Sequence, residues 1–333
     1  MIDPILRVQR GVAVHTGTPR PAVGQSSHTV VHIQDKLRLR YYAPREATAP
    51  PVVLVPSLIN KAWILDLEPD RSLVGWLAER GHPTYLVDWG EPGPEDAQED
   101  VGYVVLELLA RAVDRACRHA GTEQAVLFGY CMGGTLAAML AALRPRRIKA
   151  LALLNAPVRF ALAGRFRDFV QRFDVEQAVD ADGLVPVELM QPAFKMLDPV
   201  GNWTKYEAIE AASHDPGRLA RVMARERWLE ENVPMTGAFA REFITMAYQQ
   251  DRLLEGTWSL RGEAVRLEEI EVPVLAVACE KDFVSPAPAC LAVAQRIPQA
   301  RVELLPIGHI GVVVGSFGPK VFYPMLHDWM VEA

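Results

Sequence analysis

The sequence predicts an α/β fold: a mostly parallel, doubly wound sheet carrying an inserted helical cap. Three observations carry this. Short apolar runs recur with amphipathic segments between them, as parallel strands and crossover helices do. One run passes through a glycine-flanked turn into an Ala-, Leu- and Met-rich helix, at Val126-Leu-Phe-Gly-Tyr-Cys-Met-Gly-Gly-Thr135. The alternation then stops from about Ala156 to Leu267 and resumes afterwards.

Residues 1–27 read as a loosely patterned arm with Gly17, Pro19 and Pro21. His28-Thr-Val-Val-His-Ile-Gln34 and Leu37-Arg-Leu-Arg-Tyr-Tyr42 flank Asp35-Lys36 and predict a β-hairpin. Pro51-Val-Val-Leu-Val-Pro56 is a continuous apolar strand, the kind buried on both faces of a parallel sheet. Ser72 is a candidate N-cap for a helix to Arg80, closed by Gly81. Thr84-Tyr-Leu-Val-Asp88 is the next strand, and Asp100 to His119 a long amphipathic helix. Strands follow at Ala125 to Phe128 and Ala150 to Asn155. Residues 156–267 are helical in pattern, broken by Pro186, Pro192, Pro199 and Pro234, and too long for a simple connection. The core resumes with Val272 to Cys279, a helix from Ala287 to Arg296, a strand from Arg301 to Leu305 and a last helix near Lys320 to Val331. The expected division is therefore an arm (1–27), a core (28–155 and 268–333) and a cap (156–267).

Of the 333 residues, 50% are hydrophobic and 23% charged, an ordinary globular composition. The net charge of −6 argues against nonspecific binding of nucleic acid through a basic face. The cluster Arg144-Pro-Arg-Arg-Ile-Lys149 reads as the solvated end of a helix. The first residues lack the pattern of a signal peptide, and no apolar run approaches the roughly 20 residues of a membrane span. A cytoplasmic protein without a membrane span is the expectation. Cys117, Cys131, Cys279 and Cys290 show no metal spacing, and no metal or redox cofactor is expected.

Gly129-Tyr-Cys-Met-Gly133 has the glycine-nucleophile-glycine pattern of a nucleophile elbow, with strand before and helix after. Taken alone, Cys131 is also what a small buried core residue looks like. Two further polar groups fall just past strands, where sites form in such sheets. Asp282 follows the strand ending at Cys279, and His309 follows the strand ending at Leu305. Nucleophile, acid, histidine is the chain order of the α/β-hydrolase fold. Asp88 also ends a strand but precedes the nucleophile, and the other histidines lie in the arm, hairpin, turns or helices.

A cysteine attacks as its thiolate, whose free pKa of about 8.5 falls beside a histidine or at a helix N-terminus. Met132 N–H would stabilise the oxyanion. A second donor is expected from the loop after Pro56, at Leu58 or Ile59. Such a constellation performs acyl transfer through an acyl-cysteine. A thiol nucleophile is matched to a thioester donor.

The chain resembles the polyhydroxyalkanoate synthases, above all the short catalytic subunit of class III. The resemblance runs through Gly129-Tyr-Cys-Met-Gly-Gly134, Leu58-Ile-Asn-Lys61 with Ile64-Leu-Asp66, Leu86-Val-Asp-Trp-Gly90, Tyr248-Gln-Gln250, Lys281-Asp282 with Val284-Ser-Pro286, and Gly308-His-Ile-Gly311. It implies an acyltransferase that polymerises 3-hydroxyacyl-CoA into polyester and releases CoA. Cys131 would carry the chain and His309 would be its base. Asp282 would activate the substrate's 3-hydroxyl, besides or instead of orienting the histidine. Class III enzymes need a second synthase subunit for full activity, so the resemblance implies one; a homodimer is left open, and a place at the surface of polyester granules is expected. Ile307 departs from the family's Gly-Gly-His, and the cap matches weakly between Asp182 and Trp203. Two rival readings remain on this scaffold: a thioesterase, esterase or depolymerase, and a non-catalytic granule-associated paralogue.

Overall fold

The computed structural model describes residues 4–333. Eight strands form one sheet: β1 (Thr29–Gln34), β2 (Leu37–Tyr42), β3 (Val52–Val55), β4 (Thr84–Asp88), β5 (Ala125–Tyr130), β6 (Ile148–Leu154), β7 (Val274–Cys279) and β8 (Arg301–Leu305). Their order is β1-β2-β4-β3-β5-β6-β7-β8. The hairpin β1–β2 joins β4 antiparallel, and from β4 to β8 every pair is parallel. β3, β5 and β7 are buried along their whole length, as their unbroken apolar runs require.

The helices are α1 (Pro4–Gly17), α2 (Leu73–Glu79), α3 (101–120), α4 (Met132–Leu143), α5 (Gly164–Val170), α6 (Val187–Leu197), α7 (Pro199–Ala212), α8 (Pro216–Glu230), α9 (237–249), α10 (Ala287–Leu291) and α11 (Tyr323–Glu332). α3 and α4 cover one face of the sheet, α2 and α11 the other. Ser72 caps α2, its hydroxyl accepting from Gly75 N–H at 3.0 Å. α3 and α9 each contain a π-helical stretch, Val104–Leu109 and Ile244–Gln249. No helix among the described residues is long and apolar enough to cross a membrane.

The arm expected over 1–27 is largely helix α1, packed along α7. Gly11 weakens the helical signal, because glycine is a poor helix former. It is also what lets the two helices touch. A Cβ there would lie 1.8 Å from the Tyr206 carbonyl oxygen. His15 binds Glu230 at 3.0 Å and sets its ring edge-on to Tyr206. Tertiary packing, more than propensity, holds this helix. Two smaller readings also change. Ile148 and Lys149, read as part of a solvated helix end, belong to β6, and Ile148 is fully buried. Pro192, read as a break, lies inside α6.

The loop after β3 is pinned from several sides. Asp66 is buried and accepts from Ser26 Oγ at 2.5 Å and Ser72 Oγ at 2.7 Å, which ties the arm and the α2 cap to this loop. The Ile59 carbonyl accepts from Val233 N–H at 2.9 Å, and the Lys61 carbonyl from Trp228 Nε1 at 2.9 Å. Replacing Asp66 by alanine takes the carboxylate acceptor away from the buried Ser72 hydroxyl and the half-buried Ser26 hydroxyl. Asp66→Ala is expected to lower the unfolding free energy by about 2–4 kcal/mol. Denaturant titration reads this directly, and an unchanged midpoint would show that the cluster does not hold the loop.

Candidate active site

Cys131 links β5 to α4 in a backbone conformation that side-chain-bearing residues rarely adopt, φ 56° and ψ −132°. Such a conformation costs about 1–3 kcal/mol and persists only where its surroundings dictate it. Here they do. A Cβ on Gly129 would lie 2.3 Å from Gly134 Cα, and one on Gly133 2.2 Å from the Val55 carbonyl oxygen. The helix therefore starts in backbone contact with its own strand and with β3. Cys131 N–H donates to the Leu154 carbonyl at 2.9 Å, anchoring the turn to β6 as well.

The three residues read as a triad converge. Asp282 follows β7 and His309 follows β8. His309 Nδ1 lies 2.6 Å from Asp282 Oδ2, with the Asp282 side chain fully buried. The other carboxylate oxygen, Oδ1, accepts from Val284 N–H and Ser285 N–H, each at 2.8 Å. Burial alone would strip the proton from His309. The Asp282 carboxylate outweighs it, helped by charge and a hydrogen bond from Cys131, so the histidine's pKa is raised above its ordinary value. Nδ1 is thereby committed to Asp282, and Nε2 is the nitrogen left for the sulfur.

Two residues that drew no attention in the sequence fix the main chain of His309. Tyr130 Oη donates to its carbonyl at 3.1 Å and Asn155 Nδ2 at 3.3 Å. The Tyr130 ring also lies against the imidazole, centroids 5.1 Å apart. Tyr130 is the last residue of β5, and Asn155 follows β6 in a left-handed conformation, φ 48°. The histidine is thus registered against the same strands that hold the nucleophile. The sequence signal was slight: a polar residue at the end of each of two buried strands.

On the opposite side lie the residues read as oxyanion donors. Met132 begins α4, so its N–H has no acceptor inside the helix. Ile59 lines the cavity together with Cys131, whereas Leu58 packs against the core and is not part of that lining. Trp89 Nε1 donates to the Pro56 carbonyl at 3.0 Å and fixes the start of this loop.

A cavity of about 130 Å³ stands over Cys131 and Met132. Its walls are apolar, with Phe160, Phe166, Phe194 and Phe243 around Tyr248. Tyr248 makes edge-on contacts with Phe160 at 4.8 Å and Phe166 at 5.0 Å, and lies in the π-helical stretch of α9. Phe169 and Leu189 line the cavity and are also exposed, which places its mouth between α5 and α6. The other cysteines are buried. Burial pushes the Cys117 thiol up to about 11, Cys279 to about 12 and Cys290 well above the usual range. They stay protonated at neutral pH.

This site and sheet place the chain among the proteins of the α/β-hydrolase fold, whose family pattern it matches over residues 50–316. Among solved structures it is similar to a hydrolase from Pseudomonas aeruginosa, with TM-score 0.56 and 19% identity over 93% of this chain and 99% of that one. A thermophilic esterase from Thermogutta terrifontis has TM-score 0.52 and 16% identity, over 92% and 98%. Within that fold, residues 21–77 match the N-terminal region of poly-beta-hydroxybutyrate polymerase. The poly(3-hydroxyalkanoate) polymerase subunit PhaC of Haloferax mediterranei is 33% identical over 93% of this chain, which spans 65% of that relative. The subunit of the same name from Allochromatium vinosum is 30% identical over 93% of this chain and 89% of its own length. That of Thiocystis violacea is 28% identical over 100% and 96%. The chain belongs to the poly(3-hydroxyalkanoate) polymerase PhaC family.

The electrostatics give a first test. With Asp282 ionised, the His309 imidazolium persists to higher pH than an isolated histidine. Asp282→Asn removes that charge and is expected to move the His309 titration downwards. Side-chain NMR of the two proteins measures it. A His309 titration identical in both would show that the 2.6 Å contact does not set the proton affinity.

Proposed function

We propose that this chain polymerises 3-hydroxyacyl-CoA into poly(3-hydroxyalkanoate), holding the growing acyl group as a thioester on Cys131. One observation carries this: a thiol on the elbow, backed by the His309–Asp282 pair, at the floor of an apolar cavity in a chain of this family. His309 Nε2 accepts the Cys131 proton. The thiolate attacks the thioester carbonyl, a carbon–sulfur bond to Cys131 forms, and the bond to CoA breaks. The departing CoA thiolate takes the proton from His309. In the second half-reaction His309 accepts the proton of an incoming 3-hydroxyl, and the new ester bond releases Cys131.

Asp282 acts through His309 in this scheme. Its side chain is sealed from solvent, and each of its oxygens already binds a donor. Residues 156–267 serve as the cap, since most of the aromatic wall over Cys131 comes from them. The name subunit carried by the relatives supports work alongside a second synthase subunit.

The reading is tested by mixing the protein with 3-hydroxybutyryl-CoA and following free CoA, free 3-hydroxybutyrate and insoluble polymer. CoA release with polymer and little free acid is expected. Equal release of CoA and acid would make the protein a thioesterase. Cys131→Ala is expected to abolish acylation with the fold intact. Asp282→Asn is expected to slow acylation and elongation to the same degree, by about 10²–10⁴-fold as for a weakened general base. A loss confined to elongation would instead place Asp282 on the substrate hydroxyl.

A further inference from the structure

We infer that the Ser57 hydroxyl is a catalytic donor to the oxyanion formed in the acylation of Cys131. This rests on the acyl-cysteine reading above. Ser57 is 3% exposed and lines the cavity beside Cys131 and Met132. Its Oγ has no hydrogen-bond partner among the described residues. A buried hydroxyl without a partner is destabilising, and native structures seldom keep one without a use for it. The walls it shares are otherwise almost entirely apolar, so whatever it binds must bring its own polar atom.

The topology says which atom. β3 lies on one side of β5, while β6, β7 and β8 lie on the other. His309 and Asp282 arrive from the β7–β8 side. Ser57 arrives from the β3 side, one residue beyond Pro56, whose carbonyl oxygen a Cβ on Gly133 would approach to 2.3 Å. Ser57 therefore sits against the first turn of α4, where Met132 N–H is also unpartnered within the helix. When the sulfur attacks, the leaving CoA must face the proton carrier His309. The carbonyl oxygen then faces the other way, towards Met132 N–H and Ser57 Oγ. As the carbon–sulfur bond forms, the carbonyl π electrons move to that oxygen. Ser57 Oγ–H donates to it, and the bond persists until the oxyanion collapses and CoA leaves. The proton of Ser57 is never transferred.

The test is the single-turnover acylation of Cys131, read by intact-protein mass, in wild type and Ser57→Ala. Butyryl-CoA and 3-hydroxybutyryl-CoA are compared. The rate is expected to fall about 10²–10³-fold with both thioesters, as for loss of one oxyanion donor. Thermal stability should be unchanged or higher, since a buried unpaired hydroxyl is removed. Unchanged rates with both substrates overturn the inference. A loss confined to 3-hydroxybutyryl-CoA also overturns it, because Ser57 would then read the substrate hydroxyl. A wild-type protein that takes an acyl group on Cys131 from neither thioester fails the acyl-cysteine reading itself, and the inference falls with it.

Discussion

The site depends on a backbone contact that no side chain can replace. Helix α4 begins so close to β5 and β3 that Gly129, Gly133 and Gly134 around Cys131 have no room for a Cβ. That closeness holds Cys131 in its strained conformation and lifts its side chain off the sheet. It also sets Cys131 at the helix N-terminus, beside its free N–H groups and positive end. The fully buried α4 is what secures the contact: from Gly133 to Ala142 it has no solvent face, and its packing resists any retreat of the turn.

Around this fixed point the sheet divides the work. Strands on one side of β5 deliver the His309–Asp282 pair, and the strand on the other delivers the loop proposed to face the substrate oxygen. The two halves are not independent. Tyr130 and Asn155 bind the main chain of His309 to the ends of β5 and β6, so the histidine cannot drift from the sulfur without breaking two hydrogen bonds. The loop after β3 is tied to residues 228–233 through the Ile59 and Lys61 carbonyls. A movement of residues 228–233 therefore reaches the loop after β3 directly, while the histidine side answers to the sheet.

The parts legible in the sequence were those carried by local pattern. The elbow, the strand ends at Asp282 and His309, the hairpin and the Ser72 cap each depend on a few neighbouring residues, and each is where the pattern placed it. What stayed hidden is non-local. α1 exists because Gly11 meets Tyr206, a contact nearly 200 residues away in sequence, and Gly11 read in isolation argues against a helix. Asp66 was noticed only through a family resemblance, because its partners Ser26 and Ser72 lie on separate elements. Tyr130 was read only as a member of the elbow, because the partner of its hydroxyl, the His309 carbonyl, lies 179 residues away in sequence. Ser57 carries no sequence signal, since the absence of a partner is a property of three dimensions.

The cavity bears on why an acyl-cysteine would transfer its load to another hydroxyl and not to water. A water molecule is held in an enclosed space only by about two to four polar partners. Among the residues lining this cavity, aromatic rings and aliphatic chains dominate, and the hydroxyls of Ser57, Ser285 and Tyr248 are the polar exceptions. The site thus solvates an acyl chain well and a free water poorly. On the proposed mechanism, a 3-hydroxyacyl thioester carries its own apolar body into such walls and brings its hydroxyl with it. Water has no comparable anchor. On the proposed mechanism, the difference between a polymerase and a hydrolase on this shared scaffold lies less in the triad than in the rings that roof it.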